Sequence, residues 1–234
     1  MLRGISMNGF LLVNKPEGIT SYDVIRKLKT FLPKKTKIGH SGTLDPFATG
    51  LLIVAIGRDY TRQLNTLLNL DKTYQAEITF GTETDSYDID GIVTYTHPDP
   101  IALTENDVSP IIEKFKGEIE QTPPIFSAKK INGKPAYKHA REGVHVELKK
   151  ALVTIYEITL NELNNRSINV SIHCSKGTYI RSLAYDFGKA LAIGAHLSKL
   201  NRLAIGNVSL TSAINLQDIS EDSLASHLIT ELDA

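Results

Sequence analysis

The chain has 234 residues, 41% hydrophobic, with 26 basic and 26 acidic side chains and no net formal charge. That is enough apolar material for a packed core, in one large domain or two small ones, and it excludes a global basic field as a sign of a nucleic-acid partner. No stretch is long and apolar enough for a membrane helix, the N-terminal residues lack a signal-peptide apolar core, and the single cysteine, Cys174, excludes an intrachain disulfide, so a soluble, cytoplasmic protein with no membrane partner is expected.

Phe10-Leu11-Leu12-Val13 reads as a short strand. Thr20 or Ser21 then caps a helix to about Leu32, with Val24, Ile25, Leu28 and Leu32 on one face and Pro33 as its stop. A loop at 39–50 leads into an apolar run, Leu51 to Ile56, with the character of a buried strand. A second helix is expected over Tyr60 to Leu68. Residues 72–81 alternate, with Tyr74, Ala76, Ile78 and Phe80 on one face, as a half-buried strand does. Residues 82–103 read as loop with a short strand near Ile92-Val93-Thr94. Thr104 and Asp107 have the spacing of a capping box for a helix to about Lys116.

Residues 121–147 show no period and contain Pro123, Pro124, Gly133, Pro135 and Gly143. A loop of that length in a compact domain is functional or disordered. Strands follow at about 151–162 and 167–174, where Cys174 alternates with Ile168, Val170 and Ile172 as a small core residue. A helix is expected from about Thr178 to Ala192 and a last strand near Ile205 to Leu210. Strands and helices without strict βαβ alternation give an α+β fold.

Charge is unevenly placed. Residues 26–37 hold Arg26, Lys27, Lys29, Lys34, Lys35 and Lys37 with no acid, and 129–150 hold Lys129, Lys130, Lys134, Lys138, Arg141, Lys149 and Lys150 against Glu142 and Glu147. Residues 82–107 carry seven acids and no Lys or Arg. Two readings stand: solvated surface, or basic segments facing phosphate with an acidic back. There is no Cys/His cluster and no phosphate loop ending in Lys-Ser/Thr, so neither a metal nor a nucleotide cofactor is expected.

The segment with most chemistry is Gly-His-Ser-Gly-Thr-Leu-Asp-Pro-Phe-Ala-Thr-Gly, residues 39–50. It sets one carboxylate, Asp45, in a glycine-rich loop stiffened by Pro46 and anchored by a strand. A lone Asp in such a loop is commonly a turn or capping residue. The whole string, however, resembles the catalytic signature of the tRNA pseudouridine synthases of the TruB family. Asn14-Lys15-Pro16-Glu17-Gly18-Ile19-Thr20-Ser21, Asp71-Lys72-Thr73-Tyr74 and Ser175-Lys176-Gly177-Thr178-Tyr179-Ile180-Arg181-Ser182-Leu183 resemble three further motifs of that family, in family order.

The resemblance implies a central mixed, mostly antiparallel sheet flanked by helices, with the active cleft across its middle. It implies isomerisation of uridine 55 in the T loop of tRNA, with the target base flipped out of the loop. Asp45 would be the nucleophile. Arg181 would partner it and keep it ionised. Tyr74 would stack on the uracil, and Tyr179 would orient or deprotonate. Leu200 resembles a pocket wall. His40 would fill the space of the flipped nucleotide or stack nearby, or simply stabilise its turn. Lys15 and Pro16 would support the active loop, and Lys129 and Lys130 belong to an insertion, 121–147, that grips the T arm.

The resemblance covers roughly residues 8–210, and 8–212 are read as one catalytic domain in a monomer. The rest, 213–234, is short and contains Asp218, Glu221, Asp222, Glu231 and Asp233, which reads as an acidic tail rather than the RNA-binding PUA module of many members. A non-catalytic RNA-binding or tRNA-folding factor on the same scaffold is the competing function. A glycoside hydrolase ranks third, for want of a second acid near a motif.

Overall fold

The computed structural model describes residues 7–127, 129–131, 134–136, 139 and 148–232, with backbone alone at 130, 131, 134 and 135. In chain order the elements are β1 (Gly9–Lys15), α1 (Ser21–Lys29), β2 (Ile38–His40), β3 (Thr49–Ile56), α2 (Arg58–Thr61), α3 (Leu64–Leu68), β4 (Lys72–Phe80), β5 (Thr82–Thr84), β6 (Val93–Thr96), α4 (Glu105–Lys114) and β7 (Gly117–Gln121). They continue with β8 (Lys130–Ile131), β9 (Lys134–Pro135), β10 (Ala151–Leu163), β11 (Ser167–Cys174), α5 (Ile180–Ala190), β12 (Ala195–Ile205), β13 (Val208–Ser209) and β14 (Ile214–Asn215). The fold is α+β with a large, mostly antiparallel sheet, the class its patterning implies. The chain forms two compact units, Met1–Tyr74 with Leu200–Ala234, and Gln75–Lys199.

In the first unit the strand order is β14-β1-β3-β12, with β2 also on β3. The apolar runs of β1 and β3 are continuous because both faces are covered. Leu11, Val13, Leu52, Val54 and Ile56 face Val24, Ile25 and Leu28 of α1. The alternate residues Phe10, Leu12, Leu51, Ile53 and Ala55 face a second cluster with Leu67, Ile205 and Val208. Strands β1 and β3 are antiparallel with Lys15 opposite Gly50. Strand β12 lies parallel to β3 with Arg202 opposite that same Gly50. Lys15, Gly50 and Arg202 therefore form one row across three strands, two buried cations on either side of a residue without a side chain.

In the second unit β4, β11, β10 and β7 are neighbours in that order. Their inward residues, among them Ile78, Phe80, Val153, Ile155, Ile158, Val170 and Ile172, are buried with Val108 and Ile112 of α4 and Leu183 and Phe187 of α5. Cys174 is buried among them, the small core residue expected from its alternation.

Several boundaries differ from the pattern. Helix α1 stops at Lys29 rather than Leu32, because the Thr30 hydroxyl donates to Lys27 O at 2.6 Å and the chain tightens into a turn. Phe31 and Leu32 still pack on the α1 core, which is why the apolar period runs past the helix. The single helix expected over 60–68 is two short ones broken at Arg62 and Gln63. The late strand expected at 205–210 begins ten residues earlier, at Ala195. Residues after Leu210, read as a tail, pack into the first unit: Ile214 pairs with Val13, and Leu216, Ile219 and Leu224 join its core.

Gly50 has φ 106°, and a Cβ there would meet the backbone of Arg202, its nitrogen at 2.6 Å. Gly117, at φ 88°, has nothing within 4 Å of such a Cβ. Gly50→Ala should therefore cost about 3 kcal/mol or more, whereas Gly117→Ala should cost about 1–2 kcal/mol, the backbone strain alone. Chemical denaturation of the two variants measures the difference, and equal losses would show that the β3–β12 approach does not constrain residue 50.

Candidate active site

Asp45 sits on a turn closed by Ala48 N donating to Asp45 O at 3.1 Å, with Pro46 at the second position, where its fixed φ suits the turn. That turn is held from beneath. The side chain of Lys15, at the end of β1, is buried, and its Nζ donates to Pro16 O at 2.9 Å, Ile19 O at 2.8 Å and Pro46 O at 3.2 Å. Gly18 N donates to the same Pro46 O at 2.8 Å. Leu44 N donates to Ser21 Oγ at 2.9 Å, and that hydroxyl donates back to Leu44 O at 3.2 Å. Ser41 N donates to Ile53 O at 2.9 Å. The motif at 14–21 and the loop at 39–50 are thus one structural piece. Burial lowers the Lys15 pKa from 10.5 to about 8, opposed chiefly by the Asp45 carboxylate within Coulombic reach.

Arg202 on β12 completes the floor. It is 2% exposed. Its Nε donates to Leu51 O at 2.8 Å and its Nη2 to Gly42 O at 3.1 Å. His40 lies on β2, where burial holds its imidazole below the usual value; a backbone contact with Gly42 opposes this. Its Nδ1 is buried without a partner, as are Ser41 Oγ and Asn201 Oδ1. Tyr74 and Leu200 are both buried. Of the residues singled out from sequence, Lys15, His40, Asp45, Tyr74 and Leu200 all fall in the first unit.

Tyr179, Arg181 and Lys129 fall in the second. Arg181, at the start of α5, is buried, and its Nη1 donates to Asp88 Oδ2 at 3.1 Å and to Ser86 O at 3.1 Å, its Nη2 to Phe126 O at 2.8 Å. Asp88 also accepts from Ser86 Oγ at 2.6 Å and Asp90 N at 3.1 Å. Burial pushes the Asp88 carboxyl above its ordinary pKa, against the pull of Ser86 and Arg181. Tyr179 is the N-cap of α5, and Gln121 brackets it, accepting from Tyr179 N at 2.7 Å and donating to Tyr179 O at 3.0 Å. Lys129 Nζ donates to Lys149 O at 3.2 Å. The Lys130 side chain and much of 121–147 lie outside the described residues.

Asp88, Gln121 and Arg202 were not found from sequence. Asp88 and Glu83 are buried members of the acidic segment 82–107, which read as a solvated back. Glu83 there accepts from Lys189 at 2.9 Å. Charge density alone gave no means to separate a buried acid from its exposed neighbours. Among the described residues no cluster of three or more His, Cys, Asp or Glu is placed to hold a metal, and no helix is long and apolar enough to cross a membrane.

Lys15→Met would strand Pro16 O and Ile19 O and leave Pro46 O with Gly18 N alone, a loss of at least about 2 kcal/mol. The sign with pH follows from linkage. Between about 8 and 10.5 the unfolded chain still holds a proton that the folded chain has released, so the contribution of Lys15 to stability rises with pH across that window. The difference in unfolding free energy between the wild type and Lys15→Met should therefore widen from pH 8 to 10.5. Urea titrations across that range measure it, and a narrowing gap would contradict the burial of a reluctant ammonium.

The chain is similar to known proteins over most of its length. Residues 29–180 match the family model "TruB family pseudouridylate synthase (N terminal domain)". The chain is 45% identical over 226 residues to the tRNA pseudouridine synthase B of Francisella philomiragia, covering 95% of this chain and 74% of that one. It is 41% identical to the Bordetella avium protein of the same name, covering 99% of this chain and 96% of its relative. Among solved structures, it resembles a chain of a Cbf5-Nop10-Gar1 complex with a TM-score of 0.68 and 29% identity, covering 92% of this chain and 54% of that one. It thus spans about half the length of that structural relative. The clamped Asp45 turn lies within the matched region, and the chain belongs to the TruB family of pseudouridylate synthases.

Proposed function

We propose that this protein converts uridine 55 in the T loop of tRNA to pseudouridine, with Asp45 as the nucleophile. The observation that carries the reading is the Asp45 turn, which leads into β3 and is clamped by a buried lysine, inside the region that the family model matches. The relatives' printed name, tRNA pseudouridine synthase B, supports tRNA as substrate.

The reaction exchanges one bond for another. The C1′–N1 glycosidic bond breaks, the uracil turns, C1′ bonds to C5, the C5 proton leaves and N1 gains one. Nothing is oxidised or reduced. A carboxylate that forms a covalent intermediate divides this into two easier steps. Because a base inside a folded loop is out of reach, the target nucleotide is flipped out. Tyr74 then offers its ring face to the uracil, a contact typically worth about 1–3 kcal/mol per base. Leu200 walls the pocket, His40 fills the space left in the loop, and Tyr179 orients the base or takes its proton. The role of Arg181 as electrostatic partner of Asp45 rests on the motif at 175–183. Lys129 and Lys130 meet phosphates of the T arm.

The test is mass-spectrometric mapping of pseudouridine in a T-arm stem-loop incubated with pure protein. The wild type should modify one loop uridine. Asp45→Asn should lose at least about a thousandfold in kcat, about 4 kcal/mol of transition-state stabilisation, and keep RNA affinity within about threefold. Binding without product by the wild type would favour the non-catalytic RNA factor. Turnover by Asp45→Asn within tenfold of the wild type would remove Asp45 from the chemistry.

A further inference from the structure

The basic run at 26–37 takes no part in the Asp45 chemistry. Its lysines are not alike. Lys27 turns inward, and its Nζ donates to Leu216 O at 2.7 Å. Arg26, Lys29, Lys34, Lys35 and Lys37 are exposed. Arg26 pairs with Asp23 at 2.7 Å. The side chains of Lys34, Lys35 and Lys37 have no hydrogen bond or ion pair among the described residues.

Tyr22, Arg26 and Lys29 share the outer face of α1. Tyr22 is 57% exposed, and the Arg26 guanidinium carbon and Lys29 Nζ lie 5.6 and 5.8 Å from its ring centre. The ring gathers two cations on a solvent-facing surface. The chain then turns over 33–36, closed by Thr36 N donating to Pro33 O at 3.2 Å. The third residue of that turn is Lys35, at φ 72°. Glycine or asparagine takes this conformation with least strain. Strain of this kind persists where a side chain has a use, and no contact within the described fold supplies one for Lys35.

Five exposed cations within 26–37 repel one another, in a chain that carries no net charge. A polyanion with closely spaced charges relieves that repulsion, as a nucleic-acid backbone does. A lipid surface fits less well, because the apolar residues of α1, Val24, Ile25 and Leu28, are spent on the core. The patch also begins close to the Asp45 turn. Ser21 bonds Leu44, and Lys29 lies about 12 Å further along the helix at 1.5 Å per residue.

We propose that the outer face of α1 and the turn at 33–36 form a second contact surface for tRNA, which meets phosphates flanking the reacting loop. The proposal rests on the synthase reading and adds a part of the substrate that the Asp45 loop does not touch.

The test is equilibrium binding of whole tRNA across a salt series, with steady-state kinetics beside it. The triple variant Lys29→Gln, Lys34→Gln, Lys35→Asn removes three charges and reverses none. Its plot of log K against log salt should be shallower by about 2 units, at roughly 0.7–0.9 per phosphate contact. KM should rise about tenfold and kcat stay within about twofold, since such a contact is made equally in the ground and transition states. A control variant, Lys114→Gln, Lys116→Gln, Lys199→Gln, removes the same charge from the second unit and should leave the slope within about half a unit of the wild type. An unchanged slope in the first variant, equal changes in both, or a fall in kcat at constant slope would overturn the proposal. Lys35→Asn alone separates binding from folding, and it carries the test if the triple variant does not fold. Its melting temperature should hold or rise, because asparagine accepts this φ, while its slope becomes shallower by about 0.7–0.9. A lower melting temperature with binding intact would show that the lysine serves the turn, and would overturn the proposal. Failure of the wild type to bind tRNA would do the same. Salt-dependent binding through the patch with no pseudouridine made would sink the synthase reading alone.

Discussion

Three carbonyls converge on the Lys15 ammonium, and the placement of Asp45 depends on it. Pro16 O, Ile19 O and Pro46 O come from two stretches of chain, and without the shared donor Pro16 O and Ile19 O would lose their partner while Pro46 O kept only Gly18 N. One ammonium carries three donors without an acceptor to waste, which no apolar or acidic side chain could match. Its desolvation is costly, as the fall of its pKa to about 8 records, and the carbonyls with the nearby Asp45 charge offset that cost. The turn therefore gains its shape from a cation that is itself poorly solvated.

Gly50 transmits the arrangement across the sheet. It lies between Lys15 and Arg202 in register, at φ 106°, with the β12 backbone against it. From one side Lys15 holds Pro46; from the other Arg202 holds Gly42. The Asp45 loop is tied on both flanks by buried cations whose mutual repulsion is tolerated because each has other partners. The cost of placing these cations is met on folding, before any ligand is present.

How much of this was legible depended on what each element encodes locally. The capping boxes at Thr20–Asp23 and Thr104–Asp107 are local, and the helices they start begin where expected. The alternation of β4 and the apolar run of β3 are local too. Strand β12 was hidden, because its inward positions include Arg202 and its spacing slips between Leu197 and Leu200. Strand β7, Gly-Glu-Ile-Glu-Gln, is mostly exposed and shows no apolar face. Asp88 and Gln121 acquire their roles from partners more than fifty residues away, Arg181 and Tyr179, and no window along the chain contains both. The position of Asp45 was legible as a motif; the reason it is held was not, since Lys15 and Pro46 are thirty-one residues apart.

The central claim is that the Asp45 loop is fixed before any RNA arrives. Native-state amide hydrogen exchange of the free protein tests it at four groups, the amides of Gly18, Ser41, Leu44 and Ala48, each with a specified acceptor. If the loop is built as described, these amides exchange only through large-scale opening, with free energies close to those of the β1 and β3 core amides. Exchange of all four at rates typical of an exposed loop, while β1 and β3 stay protected, would show a loop that orders only on binding and would contradict the account.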